Sequence, residues 1–387
     1  MVFTRRARRY QNRKTRKNKQ RGGANKFTGL TYISSGSEGV VYRTSDGRAL
    51  KIQKSGKINE REITAQEKLS EIGIPYFPAL YERDICLSTI DFSTVNKEGL
   101  TEFCDGTGPY QYDYVVMELI NGKEYPQYLL RKLIDMGAWE RKILSDEEIA
   151  LIANEYISIL CRLAFAFYCA DRKIYFRHND FDYKNSLITS DATPIIIDFG
   201  SASFIGSDNF DRNTPSGKDM LGFIRSTIGP SHFKSAIKKM LFTKDNYKNT
   251  NMNYIKNEAK PRMNTSLSTY SSILKQLRES DELRGVWLLA SLYKEASILD
   301  YIYLFETIKT GVPEEAFDFE RSFRNLGIPE DEIQRTKGIV PPALAHRRQN
   351  VSGINTLINM GFERMVAQQV LNATDGNLQR SINILTE

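Results

Sequence analysis

Short segments of strand character crowd the first third of this chain, and helical spacing dominates the remainder. Phe27 to Ser35, Val40 to Thr44 and Ala49 to Gln53 read as three strands, with Asp46-Gly47 as a hairpin turn between the last two. Residues 57–71 switch to helical spacing, with Ile58, Ile63, Leu69 and Ile72 apolar among charges. Phe77 to Tyr81 opens a further extended segment, and Tyr114 to Leu119 forms a compact apolar strand. Residues 91–112 carry no clear period and read as a loop insertion. A long helix is expected over 146–172, with Ser145 as its cap and Glu147 and Glu148 in its first turn. Residues 216–310 read as mainly helical. The pattern predicts an α+β fold: a small β-rich lobe over about 27–120, then a larger helical lobe over about 121–340.

Charge divides the chain differently. Residues 1–22 hold ten basic side chains, from Arg5 to Arg21, and the first acid is Glu38. Taking those ten from the formal +7 leaves −3 for the remainder, so the basic balance belongs to the first 26 residues. A like-charged run with so little apolar content is expected to be a disordered arm. It is either a solubilising extension or a binder of nucleic acid and acidic surfaces; beyond Tyr10 no aromatic residue is interleaved for base stacking. The whole chain is 41% hydrophobic and 26% charged, which suits a globular protein with a sizeable core. Cys86, Cys104, Cys161 and Cys169 lack metal-type spacing, which predicts a reducing compartment and no disulfide framework. No apolar N-terminal segment of the signal-peptide kind is present, and the most apolar run, Ile157 to Ala170, contains Arg162 and is short for a bilayer. The expectation is an intracellular protein, cytoplasmic or nuclear, without a membrane partner.

Six stretches then stand in order between residues 34 and 200. Gly36 and Gly39 flank a hairpin tip that lets backbone N–H groups approach a phosphate, with Val41 just beyond. Lys51 follows twelve residues after Gly39, and Glu62 on the next helix can hold its ammonium, with Glu60 as the alternative. Met117-Glu118-Leu119-Ile120 ends an apolar strand; Met117 is either a gate beside a ligand or a plain strand residue. His178-Asn179-Asp180 precedes Asn185, and Asp198-Phe199-Gly200 ends another apolar strand where Gly200 permits a sharp turn.

Taken together, these stretches resemble an atypical eukaryotic-type protein kinase. The resemblance implies a bilobal protein-kinase-like fold over 27–340, ATP and Mg²⁺ as cofactors, and transfer of the γ-phosphoryl group to Ser or Thr of a protein substrate. It implies Lys51, Glu62 and Asp180 as catalytic residues and Asn185 and Asp198 as metal ligands. Gly36, Gly39, Val41, Lys51, Met117, Glu118 and Ile120 would meet the nucleotide. His178 would pack beneath the site. The chain departs from the family where Ser34 replaces the first glycine, Asn179 the arginine before the catalytic aspartate, and Asp182 the lysine two residues after it. No Ala-Pro-Glu follows Asp198; Gly217 to Gly222 instead resembles the start of the helix whose aspartate, Asp219, braces the loop. These departures keep two alternatives open, a small-molecule kinase and a non-catalytic pseudokinase adaptor. The style of the arm and the Lys/Asn/Ile-leaning body also resembles proteins of large nucleocytoplasmic DNA viruses.

Residues 351–387, after an expected linker at 341–350, read as three short amphipathic helices. Met360-Gly361-Phe362 joins the first two, and the segment resembles a ubiquitin-associated domain. That implies a three-helix bundle in which Met360, Gly361, Phe362 and Leu385 contact ubiquitin or ubiquitinated proteins; the alternative is docking on the kinase-like domain. Thr386 stands where the family has a second terminal leucine.

Overall fold

The computed structural model describes residues 27–35, 39–93, 102–141, 143–229, 260–292, 296–308, 317–331 and 333, and five positions between 356 and 382. The chain forms two compact units, Met1–Ile298 with Val312–Phe317, and Leu299–Gly311 with Asp318–Glu387. The basic arm, the expected linker at 341–350 and Gly36 lie outside the described residues.

The first unit begins with β1 (Phe27–Thr28), β2 (Thr31–Ser35), β3 (Gly39–Arg43), β4 (Ala49–Lys54), helix α1 (Lys57–Ser70), β5 (Leu80–Ser88), β6 (Glu102–Phe103) and β7 (Tyr110–Met117). An antiparallel sheet runs in the order β2-β3-β4-β7-β5, and β1 pairs with β6. Gly47 closes the β3–β4 hairpin at φ +80°, a backbone state that glycine adopts without a Cβ clash. Alternation along each strand sorts the side chains into two faces. Val40, Tyr42, Leu50, Ile52, Tyr112, Tyr114 and Val116 join one buried cluster with Leu30, Cys86, Phe92, Phe103 and Cys104. Lys51 and Val115 face the other way, toward α1, where Ile63 packs with Leu80 and Val115. The edge strand β5 exposes Glu82, Arg83 and Asp84 at its middle, and Arg83 Nε lies 2.7 Å from Glu67 Oε1 on α1.

Two expectations are corrected here. The 91–112 stretch is no plain loop: Phe103 pairs with Phe27, and the Phe92, Phe103 and Tyr112 rings meet at 4.8–5.8 Å between centroids. Full burial of such a ring is worth roughly 1.5–3 kcal/mol. The stretch also carries a disulfide, Cys86–Cys104, with Cα atoms 5.1 Å apart across an 18-residue separation. Sequence spacing pointed away from a disulfide because the pairing is set in three dimensions, by the return of the insertion onto β5. Cys161 and Cys169 are buried and take no part in a disulfide among the described residues.

Beyond β7 come β8 (Gly122–Glu124), α2 (Tyr125–Asp135), α3 (Ala138–Arg141), α4 (Asp146–Ile174), a 3₁₀ turn (Tyr183–Asn185), β9 (Ser186–Thr189) and β10 (Pro194–Ile196). Helices α5 (Lys218–Ile228), α6 (Lys260–Glu279) and α7 (Asp281–Leu292) come next. Strands β8, β9 and β10 form a second antiparallel sheet. The architecture is mixed α/β, with small antiparallel sheets and many helices. Helix α4 starts at a capping box in which Ser145 Oγ accepts from Glu148 N–H while the Glu148 carboxylate accepts from Ser145 N–H. Helix α4 has 29 residues, and an 18-residue stretch within it, at mean hydropathy 1.6, is long and apolar enough to cross a membrane, longer than the apolar run suggested. Its apolar residues serve as core instead: Ile159, Leu160, Leu163, Ala164 and Phe167 are buried. Tyr156 stacks on Phe223 of α5, and Phe167 meets Phe181 at 4.9 Å.

In the second unit, α8 (Ile298–Ile308) buries Tyr301, Ile302 and Phe305, and α9 (Phe319–Asn325) buries Phe319 and Phe323. Asp318 caps α9 by accepting from Arg321 N–H, and Arg324 Nε lies 3.1 Å from Glu330 Oε2.

Candidate functional site

Lys51 sits on β4, facing α1. Its register opposite Val41 of β3 and Val115 of β7 is set by the antiparallel ladder. Its ammonium donates to Glu62 Oε1 and lies 3.6 Å from Asp198 Oδ1. Burial alone would lower the Lys51 pKa, but the charges of Glu62 and Asp198 and their hydrogen bonds outweigh it and hold the pKa above the ordinary value. Glu62 is 3% exposed, and its second oxygen has no hydrogen-bond partner among the described residues. Glu60 is exposed, so Glu62 is the residue that holds Lys51.

Gly39 opens β3 against Gln53. A Cβ there would sit 2.4 Å from Ile52 O, so the close strand approach excludes any larger residue. Met117 ends β7, half-buried, and its sulfur accepts from Gln66 Nε2 of α1 at 3.3 Å. Glu118 N–H donates to Ala79 O at 2.8 Å, and Glu118 Oε2 accepts from Ala79 N–H at 3.3 Å. This exchange ties the 118–120 segment to the start of β5; Ile120 is half-buried just beyond.

The loop 178–185 is assembled on one carboxylate. Asp219, near the start of α5, accepts from the backbone N–H of His178 at 2.7 Å and of Asn179 at 2.9 Å. Burial raises the Asp219 pKa, against the pull of His178, these two N–H groups and Arg177. Helix α5 comes close enough that a Cβ on Gly222 would fall 2.5 Å from Phe181 O. His178 is fully buried among the Phe176, Phe181 and Phe199 rings, and its Nε2–H donates to Ile197 O at 2.9 Å. That matches the packing role expected of it.

Asp180 is left exposed on this platform. Asn185 is 8% exposed; its Nδ2 donates to Asp180 O at 2.6 Å, and its backbone carbonyl accepts from the N–H of Ile197, one residue before Asp198. The loop and the end of the Pro194–Asp198 segment are thereby joined through one asparagine. Asp198, at φ +62°, keeps its carboxylate 54% exposed. Asp182 is structural, since its Oδ1 accepts from Lys184 N–H at 2.7 Å and caps the 3₁₀ turn that presents Asn185. The site thus gathers an ammonium, two exposed carboxylates and a buried amide, which suits an anionic ligand accompanied by a hard divalent cation.

Sequence reasoning missed Arg61 and Ser203. Arg61 Nη2 donates to Gly200 O at 3.2 Å and Nη1 to Asp208 Oδ1 at 3.1 Å, while Ser203 Oγ accepts from Asn179 Nδ2 at 2.9 Å. Neither lies in a spaced motif, and only the adjacency of Arg61 to Glu62 offered a signal.

In the second unit, Thr356 and Leu357 are helical, Leu357 is buried, and Met360 N–H donates to Thr356 O at 3.0 Å. Met360 is 48% exposed, whereas Gly361, Phe362 and Leu385 lie outside the described residues. No curated protein matches the chain. The family model of the UBA/TS-N domain matches residues 352–385, so the C-terminus of this chain carries a UBA domain.

Proposed function

We propose that the first unit is a Mg²⁺-dependent phosphotransferase that passes the γ-phosphoryl group of ATP to a Ser or Thr hydroxyl of a protein, and that the UBA domain recruits ubiquitin-bearing proteins to it. The observation that carries the reading is the Lys51 ammonium held between Glu62 and Asp198, beside a loop that exposes Asp180 and hooks Asn185 onto its backbone. Lys51, fixed by Glu62, binds the α- and β-phosphates. Asp180 accepts the proton of the attacking hydroxyl as its oxygen bonds to the γ-phosphorus. The bond from that phosphorus to the bridging oxygen breaks, and ADP leaves with the electron pair. The backbone of 118–120 and the Val41 side chain frame the adenine.

The donor set fits a magnesium ion. Asp198 offers an exposed carboxylate, and Asn185, whose Nδ2 is spent on Asp180 O, has its amide oxygen left as an acceptor. When bound, the ion neutralises charge on the phosphate oxygens. The test is labelling by γ-labelled ATP and Mg²⁺, comparing the full chain with Asp198→Ala. Label on Ser or Thr, lost in the variant, supports the reading; nucleotide binding without any transfer to protein sinks it.

One observation favours a second reading. Only twenty residues separate Asp198 from Asp219, a short span for docking a peptide, which suits a small-molecule hydroxyl as acceptor. ATP consumption with a metabolite mixture and none with proteins would select it. Ubiquitin recruitment is read separately by titrating ubiquitin into the chain and into Phe362→Ala, with weak, reversible binding expected only in the former.

A further inference from the structure

We propose that Arg61 and Asn179 are positioning residues that hold the 199–208 segment against helix α1 with the chain's own groups, so that the site stands assembled without an added phosphate. This rests on the phosphotransferase reading above. In enzymes of that chemistry, the segment after the metal-holding carboxylate is commonly ordered by phosphorylation, which supplies an anion for waiting arginines. Here two arginines near the segment already have partners, through both Nη atoms of Arg61 and the guanidinium of Arg177. Arg61, 17% exposed at its side chain, donates to Gly200 O and to Asp208 Oδ1. Arg177, 7% exposed, is engaged by Asp171, Phe176 O and Thr214 O. Asp208 supplies Arg61 with a resident carboxylate.

Asn179 completes the arrangement with a neutral side chain. Its Nδ2 donates to Ser201 O at 3.1 Å and to Ser203 Oγ at 2.9 Å, while Arg177 and Ser203 exchange two backbone hydrogen bonds of 2.8 Å. The Ser203 hydroxyl is buried in this contact, and Ser207 Oγ donates to Asn209 Oδ1 while accepting from Phe204 N–H. Arg61 and Glu62 are neighbours on α1, one reaching the segment after Phe199 and the other reaching Lys51. A shift of the segment therefore pulls on the helix that holds the ammonium in place.

The experiment uses the full chain, stripped of phosphate by a phosphatase and verified by mass spectrometry. Turnover of Mg²⁺-ATP and hydrogen exchange of residues 199–210 are measured for wild type, Arg61→Met, Arg61→Lys, Asp208→Asn and Asn179→Ala. Phosphatase treatment is expected to leave wild-type kcat unchanged. Arg61→Met should lower kcat about tenfold, as one shielded charge-assisted bond implies, with KM for ATP little altered and exchange at 199–210 raised. Arg61→Lys should restore most of kcat, and Asn179→Ala should raise exchange in the same residues. Asp208→Asn should cost only about twofold, because Asp208 is exposed and its pair is screened. Loss of turnover on dephosphorylation, or unchanged exchange and kcat in Arg61→Met, overturns the proposal. If no preparation turns over ATP, the phosphotransferase reading fails, and exchange at 199–210 alone decides whether the clamp exists.

Discussion

The two faces of the five-stranded sheet are built on opposite principles. The face toward α1 presents Lys51, whose burial is tolerated because Glu62 and Asp198 compensate its charge. The other face presents Tyr42, Leu50, Ile52, Tyr112 and Tyr114 to an apolar cluster closed by Phe92, Phe103 and the Cys86–Cys104 disulfide. A period-2 strand makes this division possible, since adjacent residues such as Leu50 and Lys51 serve opposite sides. Apolar packing is concentrated on one face and the proposed chemistry on the other, so mutations should separate the two.

The largest effect is expected from Phe103→Ala, which removes a ring 3% exposed and should cost about 3–5 kcal/mol in urea unfolding. Nucleotide binding by the fraction that remains folded should stay near that of wild type; a parallel collapse of affinity would mean that the faces are coupled. Next, replacing both Cys86 and Cys104 by serine should cost about 3 kcal/mol for a loop of this size, and reductant should destabilise only the parent chain. Alkylation of the denatured, unreduced protein should label two thiols, Cys161 and Cys169; labelling of four would show that the bond does not form. In the native state Cys169 should resist alkylation, since burial pushes its thiol pKa up to about 12.

On the other face, Glu62→Gln keeps shape and removes charge. It should slow the proposed phosphoryl transfer on the order of a hundredfold, about 2.7 kcal/mol of barrier, with a smaller loss of folding stability. A stability loss as large as that of Phe103→Ala, with transfer intact, would invert the assignment. The smallest effect concerns pH. The folded-state pKa of Lys51 lies above the ordinary 10.5, so its contribution to stability is fully present below 10.5 and lost as pH rises through the folded value. The stability gap between wild type and Lys51→Met should therefore stay constant from about pH 7 to about pH 9.5. A gap that narrows in that range would mean that burial, rather than Glu62, governs the ammonium.

Local physics was legible in the sequence. Ser145 and Glu148 satisfy each other's backbone donors across one turn, so the start of α4 could be read within four residues. Asp46-Gly47 located the β3–β4 turn for the same reason, and strand alternation separated Lys51 from its apolar neighbours. Asp180 and Asn185 were singled out together through a resemblance of the 178–185 stretch, and the Asn185 Nδ2 to Asp180 O bond brings the two residues together. The features that escaped depend on segments distant in sequence. Cys86 meets Cys104 only after the insertion folds back, and Arg61 meets Asp208 across 147 positions. Asp182 read as the loss of a cation, whereas its carboxylate caps the turn that presents Asn185.

The edge strand β5 has a consequence for the protein in solution. Among the described residues, β2 and β5 are the outer strands of the five-stranded sheet, and an outer strand can template a strand from another molecule. The consecutive Glu82, Arg83 and Asp84 place fixed charges at the middle of one margin, and between the exposed Tyr81 and Ile85 they break what would otherwise be a sticky hydrophobic stretch. A chain neutralised at these three positions would keep its fold and lose its solubility, precipitating at concentrations where the parent stays dispersed.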